Sequence, residues 1–136
     1  MNNIRISDIT LRQRSSENLT FREKIELVKL LDRLQTDVIE LAPIKNAKAD
    51  SLYIKTVCAA VSGSAVCVRT APEPESIDLL WEALKSAKHP RIQIAAPVSL
   101  VQMEYIYHLS AEKLSEKVCA AIEHAKALTD DVEFCA

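Results

Sequence analysis

The stretch SDITLRQRSS, residues 7–16, ends an apolar, strand-like run in a burst of polar groups: Asp8, Thr10, Arg12, Gln13 and Arg14. α/β proteins keep their binding and catalytic groups at strand ends, so this segment reads as an active site or the remains of one. The plainer reading of Arg12 is a surface arginine at a strand end. Glu40 is the second group of chemical interest. It follows Val38 and Ile39, and a carboxylate buried there is costly without a partner. It is a site residue or half of an internal ion pair with Arg12 or Arg69, and the residues leave both open.

Other chemistries are excluded or weakly supported. Cys58, Cys67, Cys119 and Cys135 form no CxxC pair and no zinc spacing, and in a reducing compartment they read as small, buried apolar residues. No histidine is placed by sequence to activate Cys135, so it reads as a buried, serine-sized residue rather than a nucleophile. The histidines are His89, His108 and His124, and none has a second ligand at metal spacing. Gly63 is the single glycine, which rules out a Walker loop and a GxGxxG turn, because both need several glycines. The net charge of −2, with acids and bases interspersed, offers no basic surface to nucleic acid. The apolar runs are strand-sized, so no membrane-spanning segment is expected. The opening MNNIRISDIT lacks the charged start and long apolar run of a signal peptide. A cytoplasmic protein is the expectation.

The elements that must position these groups alternate in type. Residues 4–11 read as a strand. Residues 21–34 read as a helix, with Ile25, Val28, Leu31 and Leu34 on one stripe and Leu27 and Leu30 beside it. Thr20 and Glu23 form a T-x-x-E capping box at its start. Further strands are expected at 37–42, 65–70, 91–97 and 131–136, and further helices at 49–61, 74–87 and 110–128. Pro43 stops the second strand, Ser62-Gly63-Ser64 makes the turn into the third, and Pro74 suits the first turn of the third helix. Trp81 on that helix reads as a packing residue. Tyr105 and Tyr107, in an irregular segment, read as packing or lid residues. The order is βα four times and then β, which implies parallel strands joined by right-handed crossovers. With 136 residues and 49% apolar content, a single domain over residues 1–136 is expected. Periodicity leaves two architectures open. One is a five-stranded flavodoxin-like open sheet with helices on both faces, which the short chain favours. The other is the first half of a (βα)8 barrel, which takes about 250 residues when complete.

Two long stretches carry a further signal: ISDITLRQRSSENLTFREKIELVKLLDRLQTDVIE and LLWEALKSAKHPRIQIAAPVSLVQMEYIYHLSAEKLSEKVCAAIEHAKALTDDVEFCA. They resemble the 2-isopropylmalate synthase and homocitrate synthase family, within the larger group of metal-dependent acyl-CoA lyases and synthases. Members read D-T-T-L-R-D-G-E-Q on the first strand, then WEALK, then PRIH at strand four and DDVEFSAED at strand five. The resemblance covers essentially the whole chain. It implies a partial (βα)8 TIM barrel, about (βα)4β with parallel strands, in place of the open sheet. It also implies an acyltransferase reaction, in which the methyl carbon of acetyl-CoA is joined to the keto carbon of a 2-oxo acid by a Claisen-type condensation. In the family a divalent metal polarises the keto oxygen, a base removes a methyl proton, and a cationic side chain stabilises the oxyanion.

Carried over position by position, Asp8, Thr10, Leu11 and Arg12 match the first-strand motif. The resemblance gives Arg12 the catalytic task on the developing oxyanion, which a guanidinium fork suits. The next family residue is the metal-binding aspartate. Here it is Gln13, whose neutral amide lacks the charge that helps hold a hard cation. Arg14, Ser15 and Ser16 replace Gly-Glu-Gln. Glu40 matches a pocket-lining glutamate, and Arg69 lies where members keep a substrate-binding arginine. Gln93 replaces the histidine of RIH, Gln102 that of S-x-x-H, and Cys135 the family serine. The glutamate two places after that serine would follow Ala136, and the family's H-x-H pair is absent. The implied substrate-binding set is therefore Glu40, Arg69, Gln93 and Cys135, with no metal ligand and no cofactor held by this chain.

Half a barrel has two uncovered strand edges and an open inner face, and both invite another chain. The expected partners are acetyl-CoA and a 2-oxo acid by resemblance, together with a homo-oligomer or a partner half-barrel. A fragment of a longer protein is the third reading. With the metal aspartate and two family histidines changed, the chain is expected to be inactive alone. It is either an enzyme half or a non-catalytic binding or interaction module.

Overall fold

In the computed structural model, which describes residues 4–136, strands and helices alternate along the chain. β1 is Ser7–Asp8, followed by 3-10 turns at Thr10–Arg12 and Arg14–Asn18. Then come α1 (Phe21–Arg33), β2 (Val38–Leu41), α2 (Ala47–Ala60), β3 (Ala65–Thr70), α3 (Pro74–Leu84) and β4 (Pro90–Ala95). A short α4 (Leu100–Gln102) runs into a π-helical turn, Met103–Tyr107, before α5 (Ala111–Leu128) and β5 (Val132–Cys135).

Local chemistry sets these boundaries. The capping box is formed: the Thr20 hydroxyl accepts the Glu23 N–H, and the Glu23 carboxylate accepts the Thr20 N–H at 2.7 Å. The Asn46 side chain accepts the Lys48 and Ala49 N–H groups, so α2 starts two residues before the expected 49. The expected first strand, residues 4–11, is cut to two residues. The Asp8 carboxylate accepts both the backbone N–H and the hydroxyl of Thr10 and turns the chain into a 3-10 helix. α3 ends at Leu84 rather than residue 87, and β4 ends at Ala95 rather than residue 97. On α1, Val28 and Leu31 are buried, but Leu30 and Leu34 are exposed, so the buried stripe is narrower than the periodicity implies. Leu34 lies past the helix end, where Gln35 takes a positive φ of 59°.

The sheet order is β1-β2-β3-β4-β5, with every neighbouring pair parallel. A doubly wound sheet needs a reversal of strand order to place helices on both faces. This order has none, so right-handed crossovers put every helix on one side. The flavodoxin-like alternative is thereby overturned, and the strands form a curled half-barrel with helices outside. α1, α2, α3 and α5 pack in sequence along that outer surface. Ile39, Leu41, Val66, Val68, Ile92 and Ile94 face the helices and are buried in one apolar core. Alternate residues point the other way, toward the inside of the curl.

Candidate functional site

The inner surface is built from the residues between those core positions. Register places Glu40 beside Cys67 and Cys67 beside Arg91 in one row. The next row runs Arg69, Gln93, Glu133, with Ala95 and Cys135 paired beyond it. This surface is polar, and side chains from different strands interlock across it.

At the first-strand end, Arg12 leaves the 3-10 turn and places its Nη1 2.5 Å from Glu40 Oε2. The Ser7 hydroxyl donates to the other carboxylate oxygen at 2.6 Å. Glu40 is only 7% exposed, and these two bonds account for how its charge is tolerated. Of the two readings of Glu40, the structure shows the ion pair, and the partner is Arg12 rather than Arg69. Gln13, next in the chain, has an exposed side chain. Its backbone carbonyl accepts the Ser16 N–H and hydroxyl, which fixes the turn. It lies with Arg12 and Arg14 in the wall of a cleft of about 330 Å³, with Tyr53 opposite on α2. The enclosed Tyr53 hydroxyl has its pKa pushed up to about 12 by burial.

A second cluster joins β3, β4 and β5. Arg69 Nε–H donates to Gln93 Oε1 at 2.8 Å, and its Nη2–H donates to the Cys135 sulfur at 3.0 Å. The Gln93 amide in turn donates to Glu133 at 3.3 Å. Arg91 donates to Asp131 at 2.9 Å and lies 3.7 Å from Glu133. Cys67 sits between the two clusters. Burial, reinforced by the negative charges of Glu40 and Glu133, pushes its thiol up to about 12, so it stays protonated at neutral pH. The set of Arg12, Glu40, Arg69, Gln93 and Cys135 thus occupies one surface, as two hydrogen-bonded groups.

Sequence reasoning passed over Ser7, Cys67, Arg91 and Glu133. Parity offered a signal for three of them, since Cys67, Arg91 and Glu133 each precede a named residue by two and share its face. The expectation of four buried cysteines holds for Cys58 and Cys67, but Cys119 is exposed and Cys135 is half-buried. Cys119, on α5, lines a cleft with Val98 and Phe134. Tyr105 is 73% exposed, and Tyr107 sits under the Lys117 ammonium. His124 bonds Asp78 of α3 at 2.7 Å, His89 lines a cleft near the strand starts, and His108 ends the π-helical turn. Among the described residues, no three His, Cys, Asp or Glu side chains gather as an ion site. The residues present do not fit the family's divalent metal, because Gln13 supplies no charge and Glu40 already holds Arg12. Among the described residues, no helix is long and apolar enough to cross a membrane.

A family model for HMGL-like proteins matches residues 3–136. The 2-isopropylmalate synthase of Halalkalibacterium halodurans is 34% identical over the whole chain, which spans 27% of that protein. Those of Nitratidesulfovibrio vulgaris and Pyrococcus furiosus are 34% and 35% identical over 98% of the chain, which spans 26% and 27% of them. The chain therefore spans about a quarter of the length of the curated relatives it matches.

Proposed function

The chain belongs to the HMGL-like family, and from that premise we propose that residues 1–136 form one domain, the N-terminal half of an acyl-transfer barrel. In the 2-isopropylmalate and homocitrate synthase manner, the whole protein would condense acetyl-CoA with a 2-oxo acid. This half would bind the oxo acid without completing the reaction. The observation that carries this reading is the inner surface at the strand ends, where two guanidinium groups are held in fixed orientation by Glu40, Gln93 and Cys135. Arg12 faces the developing oxyanion, and Glu40 holds it in position. Arg69 takes the substrate carboxylate, oriented by Gln93 and Cys135. No step is routed through a metal, because the donors in this chain do not fit one. The protein works in the cytoplasm.

The edges support a partner, either a second copy or a complementary half-barrel. On the helix-facing side of the sheet, Ile94 is fully buried, while its register partner Phe134 on β5 is 44% exposed. Ile4 and Ile6 are exposed beside β1. A second reading, a non-catalytic interaction module, is favoured by glutamine at positions 13, 93 and 102 in place of the family's aspartate and histidines. The variant Arg12→Ala separates the two. Ligand-observed NMR with 3-methyl-2-oxobutanoate is expected to show binding lost in Arg12→Ala. Retained binding, with a change only in assembly by sedimentation, would favour the second reading.

A further inference from the structure

We propose that the chain pairs with a second copy of itself through the connection between β4 and α5, an apolar surface beside the β5 edge. This rests on the partner reading above and commits it to one occupant and one surface. Within residues 97–111, Glu104 is the single Asp, Glu, Lys or Arg. Val98, Leu100, Val101, Tyr105 and Ile106 in this segment are each between 62% and 74% exposed. The segment is nevertheless tied down. The Ser99 hydroxyl and carbonyl accept the Gln102 and Met103 N–H groups at its start. Near its end the Tyr107 ring lies under the Lys117 ammonium, which is itself paired with Glu73, just before α3, at 3.1 Å. His108 then closes the π-helical turn at φ 51°. Large apolar side chains are thus presented to solvent on a held backbone, and such a surface loses little freedom when a partner covers it.

The same surface carries a recess for these side chains. Val98, Met103, Leu114, Val118 and Phe134 line a cleft of about 280 Å³ between the segment, α5 and β5. A dry cavity of about 150 Å³ takes one benzene-sized group, so this cleft has room for about two. A projecting ridge beside an apolar recess suits a two-fold interface, because one patch must there serve both copies. The area agrees. The five exposed side chains and Phe134 together present on the order of 700 Å² to solvent. The largest apolar patch of a typical monomer is about 300–600 Å², and each side of a standard interface is about 800 Å². Charge is scarce at the centre of the patch, and Met103, Tyr105 and Phe134 are of the types enriched in interfaces. The exposed Glu112 and Lys113 follow directly, as a charged rim.

Sedimentation velocity on the whole chain tests this, and a dimer is expected at about 100 μM. The double variant Val101→Glu with Ile106→Glu changes two exposed positions and is expected to weaken the dimer by about tenfold or more. Ile6→Lys, exposed beside β1, is expected to leave the dimer Kd within about twofold. A second readout uses the unmodified chain. Cys119 is exposed and lines the cleft. Its alkylation by iodoacetamide, followed by peptide mass, is expected to slow about fivefold or more as the protein concentration rises into the dimer range. A dimer untouched by the double variant, or one in which Cys119 is alkylated at a rate independent of concentration, overturns this surface and leaves pairing at the sheet edges standing. A monomer at about 100 μM overturns this inference and the second-copy reading with it, and leaves the complementary half-barrel.

Discussion

The two faces of β2, β3 and β4 are made from the same three strands and obey different rules. On β3, Val66 and Val68 face the helices and are almost wholly buried among apolar neighbours. Cys67 and Arg69, their chain neighbours, face inward, and Arg69 bonds across to Gln93 and Cys135 on the next two strands. The apolar face is held by burial, which is non-directional and is satisfied by many residue combinations of the right volume. The inner face is held by directed bonds, and each group there is costly unless its partner arrives at the right place. The first face makes the fold. The second consumes stability that the first supplies, which is the usual mark of a surface kept for binding.

The largest expected effect breaks the apolar face. Ile92→Ala, at a fully buried position, should lower stability by about 3–4 kcal/mol, read from the urea midpoint at unchanged slope. The inner face should respond differently. Glu40→Leu leaves Arg12 without its carboxylate and should cost about 2–3 kcal/mol. The double variant Arg12→Met with Glu40→Leu removes both charges and should recover most of that loss. If the double variant is as unstable as the single one, the inner face is a structural element and the contrast between the faces fails.

The apolar face was legible in the sequence, and the inner face only in outline. Period-two alternation around Ile39, Val66 and Ile92, with T-x-x-E before α1, specifies strands, helices and their order. The brevity of β1 was not legible, because Asp8 could serve a strand or a turn and only its bonds to Thr10 decide. Arg12 and Glu40 were both visible as chemical residues, and the choice of Arg12 over Arg69 as the partner of Glu40 needed the curl of the wall. Arg91 and Glu133 were missed because pairing across β4 and β5 depends on register, which the alternation of a single strand does not set.

A polar group can also belong wholly to the fold, and Asp32 at the end of α1 sharpens the comparison. Burial disfavours its charged form, but the backbone N–H groups of Ser64, Ser62 and Gly63 outweigh this and lower its pKa to about 2. The unfolded chain binds the proton more readily, near the ordinary value of 3.8. The contribution is therefore complete above about pH 4 and is lost as pH falls toward 2, with an expected size of about 1–2 kcal/mol once screening is allowed for. Asp32→Asn should lower stability at neutral pH by that amount and flatten the acid limb between pH 4 and 2. An unchanged limb would show that Asp32 does not anchor the turn before β3. Asp32 is fixed by backbone amides and serves the fold, whereas Glu40 on the inner face is fixed by the side chains of Arg12 and Ser7.

The smallest expected effect concerns strain outside that face. Gln35 sits just past the end of α1 at φ 59°, a left-handed conformation that a residue with a Cβ adopts at a cost. Its N–H still reaches the Asp32 carbonyl at 3.0 Å, and the Thr36 N–H reaches that of Leu31 at 3.3 Å, so the helix end is properly closed. Glycine adopts this conformation freely, although it gains entropy in the unfolded chain. Gln35→Gly should therefore raise stability by about 0.5–1 kcal/mol, seen as a higher urea midpoint. Strain kept for function sits next to the chemistry, and this turn connects α1 to the start of β2, at the opposite end of that strand from Arg12 and the loop after β1. Binding of 3-methyl-2-oxobutanoate by Gln35→Gly should accordingly match that of the unmodified chain. A gain in stability joined to a loss of binding would place the turn among the elements that shape the inner face, and the division between the two faces would then have to include it.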